Sequence, residues 1–114
     1  FGVPRLQAAF VAEGGAIASD GRGTLVTTRS CLLNPSRNPV RRGKERQRTI
    51  EAELRKFGAR NVIWLEGDPC EPGTSGHVDG YVLLAPSNVV LVDACDDKEV
   101  EAPMWRAHDI ALLE

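Results

Sequence analysis

No apolar run in the 114 residues approaches the ~18 residues that a membrane-spanning helix needs. Basic residues are not in excess either. Fourteen Lys and Arg stand against sixteen Asp and Glu, a net charge of −2, which argues against a dedicated nucleic-acid binder. Cysteine is sparse: Cys31, Cys70 and Cys95 are an odd number at wide spacings, with no C-x-x-C. That fits a reducing, cytoplasmic setting better than a disulfide framework. Methionine occurs once, at Met104, and residue 1 is Phe. A helix read over residues 107–114, with Ala107, Ile110, Ala111, Leu112 and Leu113 as its apolar face, meets no Gly, Asn or Pro stop. Both ends are therefore expected to be cuts in a longer polypeptide.

What is present is ordinary for a folded domain: 42% hydrophobic and 26% charged residues, too apolar for a disordered chain. Short apolar runs over residues 7–12, 16–19 and 24–28 read as strands, the last two joined as a hairpin across Asp20-Gly21. Residues 30–33 read as one helical turn, and Asn34, Pro35, Asn38 and Pro39 punctuate the chain beyond it. From Lys44 to Phe57 the period becomes helical, with Ile50, Leu54 and Phe57 on one stripe and Gly58 as the cap. Residues 61–65 (Asn-Val-Ile-Trp-Leu) read as a strand buried on both faces. A Gly/Pro/Asp/Ser-rich loop over 66–76 precedes strands over 77–85 and 89–94, and Asp96-Asp97 opens the last helical stretch. The order predicts an α/β (α+β) mixed sheet covered by helices.

Three groups of residues could carry chemistry. Glu13-Gly14-Gly15 sets a carboxylate at a strand end beside two residues that let another group approach the backbone. In Gly76-His77-Val78-Asp79-Gly80, period two along a strand would place His77 and Asp79 on one face. Histidine moves protons near neutrality, and a neighbouring carboxylate can hold its tautomer or bind a cation. An isolated H-x-D, however, more often marks a loop-bonded histidine at a sheet edge. The acidic group Asp93, Asp96, Asp97, Glu99 and Glu101 lacks the order of a calcium loop and reads as helix capping. The basic stretch Arg37, Arg41, Arg42, Lys44, Arg46 and Arg48 has no interleaved aromatics and reads as the solvated approach to a helix. Among the thiols, Cys31 reads as a buried small hydrophobe. Cys70 and Cys95 lie among carboxylates that disfavour a thiolate.

Taken together, these segments resemble the agmatine deiminase and bacterial-type peptidyl-arginine deiminase family. The resemblance rests on Glu13-Gly14-Gly15-Ala16-Ile17, Asp20-Gly21-x-Gly23-Thr24-Leu25, Thr27-Thr28, and Cys31-Leu32-Leu33-Asn34-Pro35-x-Arg37-Asn38-Pro39. It continues through Ile50-Glu51, Val62-Ile63-Trp64-Leu65 and Gly76-His77-Val78-Asp79. It implies a pentein fold, a five-bladed α/β propeller, of which residues 1–114 would form roughly two blades, a partial domain truncated at both ends. It also implies hydrolysis of agmatine to N-carbamoylputrescine and ammonia through a covalent cysteine intermediate. Peptidyl-arginine deimination or a non-catalytic binding or assembly fragment are the alternatives. By analogy His77 would be the general acid and base, Glu13 its carboxylate partner, and Asp79 a grip on the guanidinium nitrogens.

The resemblance implies no metal and no organic cofactor, and the partner would be a small guanidinium substrate rather than nucleic acid or membrane. Excised blades would expose apolar faces and invite association into a homo-oligomer. Two parts of the family site would lie elsewhere: an aspartate of a Trp-x-Arg-Asp motif upstream of Phe1, and the nucleophilic cysteine downstream of Glu114. Gly80 replaces the asparagine common after His-Val-Asp, and Pro69 to Pro72 alters the preceding loop.

Overall fold

The computed structural model describes residues 2–39, 43–93 and 104–114. Its centre is a three-stranded mixed sheet of β1 (Ile17–Ser19), β2 (Thr24–Thr28) and β3 (Asn61–Leu65), in that order. Strands β1 and β2 form the expected hairpin, antiparallel with Ile17 opposite Thr27. Its turn is set by Asp20, whose Oδ1 accepts the amides of Arg22 and Thr24 at 2.7 and 2.8 Å. Such a side chain mimics a backbone turn. Strand β3 runs parallel to β2, with Thr24 opposite Asn61 and Thr28 opposite Leu65. The crossover between them holds a one-turn helix, α1 (Arg29–Leu32), and the long α2 (Gly43–Lys56).

Alternation along the strands sends side chains to two cores. On one face Trp64 packs with Ala16, Cys31, Leu32, Ile50, Leu54 and Ala59, under α2. On the other, Val26 and Leu65 pack with Val78, Tyr81 and Val82. That second face is covered by the antiparallel pair β4 (Val82–Ala85) and β5 (Val89–Val92) and by α3 (Met104–Leu113). Trp105 of α3 meets the Tyr81 ring edge-on at 5.4 Å.

Several sequence expectations are corrected here. Residues 7–12 form no strand; Asn38, itself buried, pairs with the Val11 backbone instead, accepting its N–H at 2.8 Å and donating to its carbonyl at 2.9 Å. Strand β3 is covered on both faces, as expected, with Trp64 buried in one core and Leu65 in the other, though Val62 and Ile63 are only half-buried and Asn61 at its start is exposed. On α2, Ile50 and Leu54 are buried but Phe57 is 44% exposed, because the helix ends at Lys56 and the chain turns away. Arg46, read as part of a solvated basic stretch, is buried, and so is Glu53 on the same helix. On α3 the fully buried residue is Asp109, while Ala111 and Leu112 are exposed. The strand expected over 77–85 begins only at Val82. His77 instead stands immediately before a 3-10 turn over Val78–Gly80. Cys95, Arg41, Arg42 and the acidic residues Asp96, Asp97, Glu99 and Glu101 lie outside the described residues.

Candidate functional site

Three loops meet at the carboxyl ends of the parallel strands β2 and β3, the edge where open α/β sheets bind ligands. Glu13 and Gly15 precede β1, whose antiparallel direction brings its start to the same edge. Cys31 and Arg37 follow β2. The loop 66–76 and His77 follow β3.

Each loop is held by identifiable bonds. Thr28, fully buried at the end of β2, caps α1 by accepting the Cys31 amide at 3.3 Å, and its hydroxyl donates to the Gly76 carbonyl. Ser30 N–H donates to the Glu66 carbonyl at 3.0 Å. The start of the loop is pinned from below by Asp109. This carboxylate accepts the amides of Glu66 and Gly67 and, at 2.9 Å, the hydroxyl of Tyr81. Burial first, and then the bond to Asp109, push the Tyr81 phenol above its ordinary range. Further along, Glu71 accepts the Thr74 hydroxyl and the Gly76 amide. Gly76 has φ +87°, and a Cβ there would lie 2.6 Å from the Asp68 backbone nitrogen. Only glycine fits that step without strain.

This scaffold brings together Glu13, His77 and Asp79. His77 is largely buried; its Nε2 faces Glu13 Oε2 at 3.5 Å and its Nδ1 faces Asp79 Oδ1 at 4.0 Å. Nε2 is itself inaccessible and makes no hydrogen bond to any described residue. Glu13 and Asp79 have side chains 47% and 63% exposed, so the imidazole is flanked by two carboxylates that open to solvent. Gly15 is the floor of the arrangement. A Cβ there would lie 2.6 Å from both Asp79 carboxylate oxygens and from His77 Nδ1. The second glycine of Glu-Gly-Gly therefore serves the close approach of side chains.

Arg37 is the main residue that sequence reasoning missed. Read as part of a solvated basic stretch, it has a side chain only 9% exposed. Its Nε donates to Glu13 at 2.9 Å, Nη1 to the Cys31 carbonyl at 3.0 Å and Nη2 to the Thr74 carbonyl at 3.2 Å. One guanidinium fork thus ties all three loops, and its bond to Glu13 is the chief cause holding that carboxyl below its ordinary value. The signal lay in the flanking residues. Asn34 and Asn38 fix turns on either side, Asn34 accepting the Ser36 amide at 3.0 Å and Asn38 donating to the Leu32 carbonyl at 3.0 Å. An arginine locked between such turns is not a freely solvated one.

Cys31 is fully buried, as expected, and Cys70 is exposed; both thiols are free. Burial raises the Cys31 thiol above its ordinary value. Its position was not anticipated: donor atoms of Cys31, Glu13 and His77 all lie within 4.8 Å of one another.

A family model for Porphyromonas-type peptidyl-arginine deiminase matches residues 1–111. The chain belongs to that family. Over 98 residues it is 42% identical to the agmatine deiminase of Medicago truncatula, covering 84% of this chain and 25% of the relative. Over 90 residues it is 40% identical to that of Pseudomonas aeruginosa (strain LESB58), covering 79% and 24%. Among solved structures, agmatine deiminase of Enterococcus faecalis catalysing its reaction superposes with a TM-score of 0.68 at 32% identity, covering 91% of this chain and 27% of that one. A cysteine-to-serine variant of C. jejuni agmatine deiminase with substrate bound gives 0.74 at 27% identity, covering 91% and 31%. The chain thus spans about a quarter of the length of the curated relatives it matches. No helix among the described residues is long and apolar enough to cross a membrane.

Proposed function

We propose that this chain supplies part of the active site of a guanidine deiminase acting on agmatine, releasing ammonia and N-carbamoylputrescine. The observation that carries the reading is the meeting of His77 with Glu13 and Asp79 over Gly15, in a chain whose relatives are named agmatine deiminases. Asp79, open to solvent beside the imidazole, is the grip for the planar guanidinium, where a carboxylate can accept two parallel N–H bonds. His77 is the proton carrier, and Glu13 holds the imidazolium form with Arg37 fixing its position.

The chemistry is a two-step substitution at the guanidinium carbon. A cysteine thiolate adds to that carbon, the C–N bond to one terminal nitrogen breaks, and His77 delivers the proton with which ammonia leaves. Water, deprotonated by His77, then displaces the sulfur and leaves the ureido product. The nucleophile is not among the described thiols: Cys31 is buried with a raised pKa, and Cys70 lies beside Asp68 and Glu71. Cys95 also stands among aspartates in the sequence, so on this reading the nucleophile belongs to a part of the protein beyond these residues, and the 114-residue chain alone is not expected to turn over. The residues form a partial pentein domain, about two blades of an α/β propeller. In support, Leu83, Val89 and Leu91 of the β4–β5 pair are exposed, a surface a neighbouring blade or second copy would cover. The setting is cytoplasmic.

A second substrate, peptidyl-arginine, is favoured by the description of the family model. Ammonia release by the complete protein, with agmatine and with an arginine-containing peptide in parallel, tests both. Turnover of agmatine supports the reading, turnover of the peptide alone moves it to peptidyl-arginine, and turnover of neither refutes it.

A further inference from the structure

We propose that Glu13, Cys31 and His77 form a binding site for a soft divalent cation, zinc being the ion that suits it best. The three side chains offer a carboxylate oxygen, a sulfur and an imidazole nitrogen within 4.8 Å of one another. Zinc bonds of about 2.0–2.3 Å in tetrahedral array place ligand atoms some 3.3–3.7 Å apart. Closing the widest gap thus takes a movement of about 1 Å. Glu13, with its side chain 47% exposed, is the member that would move, and doing so loosens its bond to Arg37. The other two are set already: Cys31 by the Thr28 cap on α1, and His77 by its place before the 3-10 turn.

A second observation points to the same space. His77 Nε2 is inaccessible and, although it faces Glu13 Oε2 at 3.5 Å, has no hydrogen-bond partner among the described residues, a costly state for a buried polar atom that a metal bond would relieve. The opposite nitrogen, Nδ1, faces Asp79 at 4.0 Å, where a carboxylate can orient a metal-bound imidazole from the outer shell. Sulfur and imidazole together exclude magnesium and calcium, which take oxygen ligands. Glu13 gives the group its solvent-facing side. On binding, the Cys31 S–H proton leaves to water and a sulfur–metal bond replaces it, with no change of oxidation state. Arg37 opposes the ion, since its guanidinium already occupies Glu13, so the site suits a reversible regulator better than a permanent cofactor. If His77 carries protons and Glu13 holds it as proposed above, an occupied site blocks both roles; that consequence rests on the deiminase reading, whereas the binding does not.

The test uses the full chain with Cys70→Ser and Cys95→Ser, titrated with cobalt(II) as the spectroscopic probe and then with zinc in competition. We expect one cobalt per chain, a thiolate-to-cobalt charge-transfer band, and its loss when zinc is added. Cys31→Ala and His77→Gln should each weaken binding by at least about 100-fold, since outer-shell losses alone reach about 10–100-fold. Circular dichroism checks that each variant is folded, and if Cys31→Ala is not, His77→Gln and the charge-transfer band decide. Absence of the band, or wild-type affinity in folded His77→Gln, overturns the site. Agmatine turnover enters none of these readouts, so failure of the deiminase reading leaves the result standing.

Discussion

Replacing Gly15 by alanine adds one methyl group at the point where the side chains of the site converge. The backbone at Gly15 is outside the left-handed region, and alanine brings no torsional strain there. The methyl carbon would nevertheless begin 2.6 Å from Asp79 Oδ1, Asp79 Oδ2 and His77 Nδ1, while ordinary contact starts at 3.4 Å. Asp79, 63% exposed, can rotate away; His77, 16% exposed, has little room. The stability cost should therefore stay near the low end of overpacking, about 1 kcal/mol, partly offset by the smaller chain entropy of alanine, about 0.5 kcal/mol. The chemical cost should be larger. If His77 and Asp79 act as proposed, displacing them by about 1 Å can cost about 100-fold in rate, or about 2.7 kcal/mol on the barrier. Urea denaturation and kcat/KM for agmatine, both on the complete protein, separate the two effects. Gly14→Ala is the control, since a Cβ there meets nothing within 4 Å. Wild-type kcat/KM in folded Gly15→Ala would show that crowding at this point does not reach the chemistry.

Three further outcomes rest on the same bonds. Asp109→Ala strips partners from two loop amides and the Tyr81 hydroxyl and should cost about 3 kcal/mol in urea denaturation; an unchanged midpoint would contradict its anchoring role. Arg37→Gln should raise the Glu13 carboxyl toward its ordinary value, read by carbon NMR of the carboxyl against pH, because the Arg37 bond is the largest cause of its depression. Glu13, Asp20 and Glu53 are all held below their ordinary values, by Arg37, by the Arg22 and Thr24 amides, and by Lys56 respectively. Depressed folded-state values stabilise above the unfolded values and lose that contribution as pH falls through the folded ones. Stability should therefore be level from neutrality to about pH 5 and decline below about pH 4, with a shallower decline in Arg37→Gln.

The sequence carried the fold best where one residue type forces one local answer. Asp20-Gly21 turned the hairpin, the Ile50/Leu54 pair set the buried stripe of α2, and Asn-Val-Ile-Trp-Leu became β3 with the expected bounds. It failed where burial depends on distant partners. Nothing local to α3 marks Asp109 as its most buried residue; the reason is a pair of amides more than forty positions away. Charge patterning placed Arg37 in solvent because composition is blind to the three loops its fork joins. At the site, His77 and Asp79 do lie beside one another, but through a 3-10 turn rather than the period-two strand that suggested it. Cys31 was correctly read as buried, yet burial alone could not say that its neighbours would be Glu13 and His77.

If the proposed site is right, His77 moves the protons while Asp79 holds the guanidinium beside it. Steady-state kinetics of the complete protein on agmatine, comparing wild type with His77→Gln and Asp79→Asn, decide between this division of labour and any other. We expect kcat to fall by at least about 100-fold in His77→Gln with KM little changed, and KM to rise in Asp79→Asn. A His77→Gln protein that keeps the wild-type kcat would contradict it.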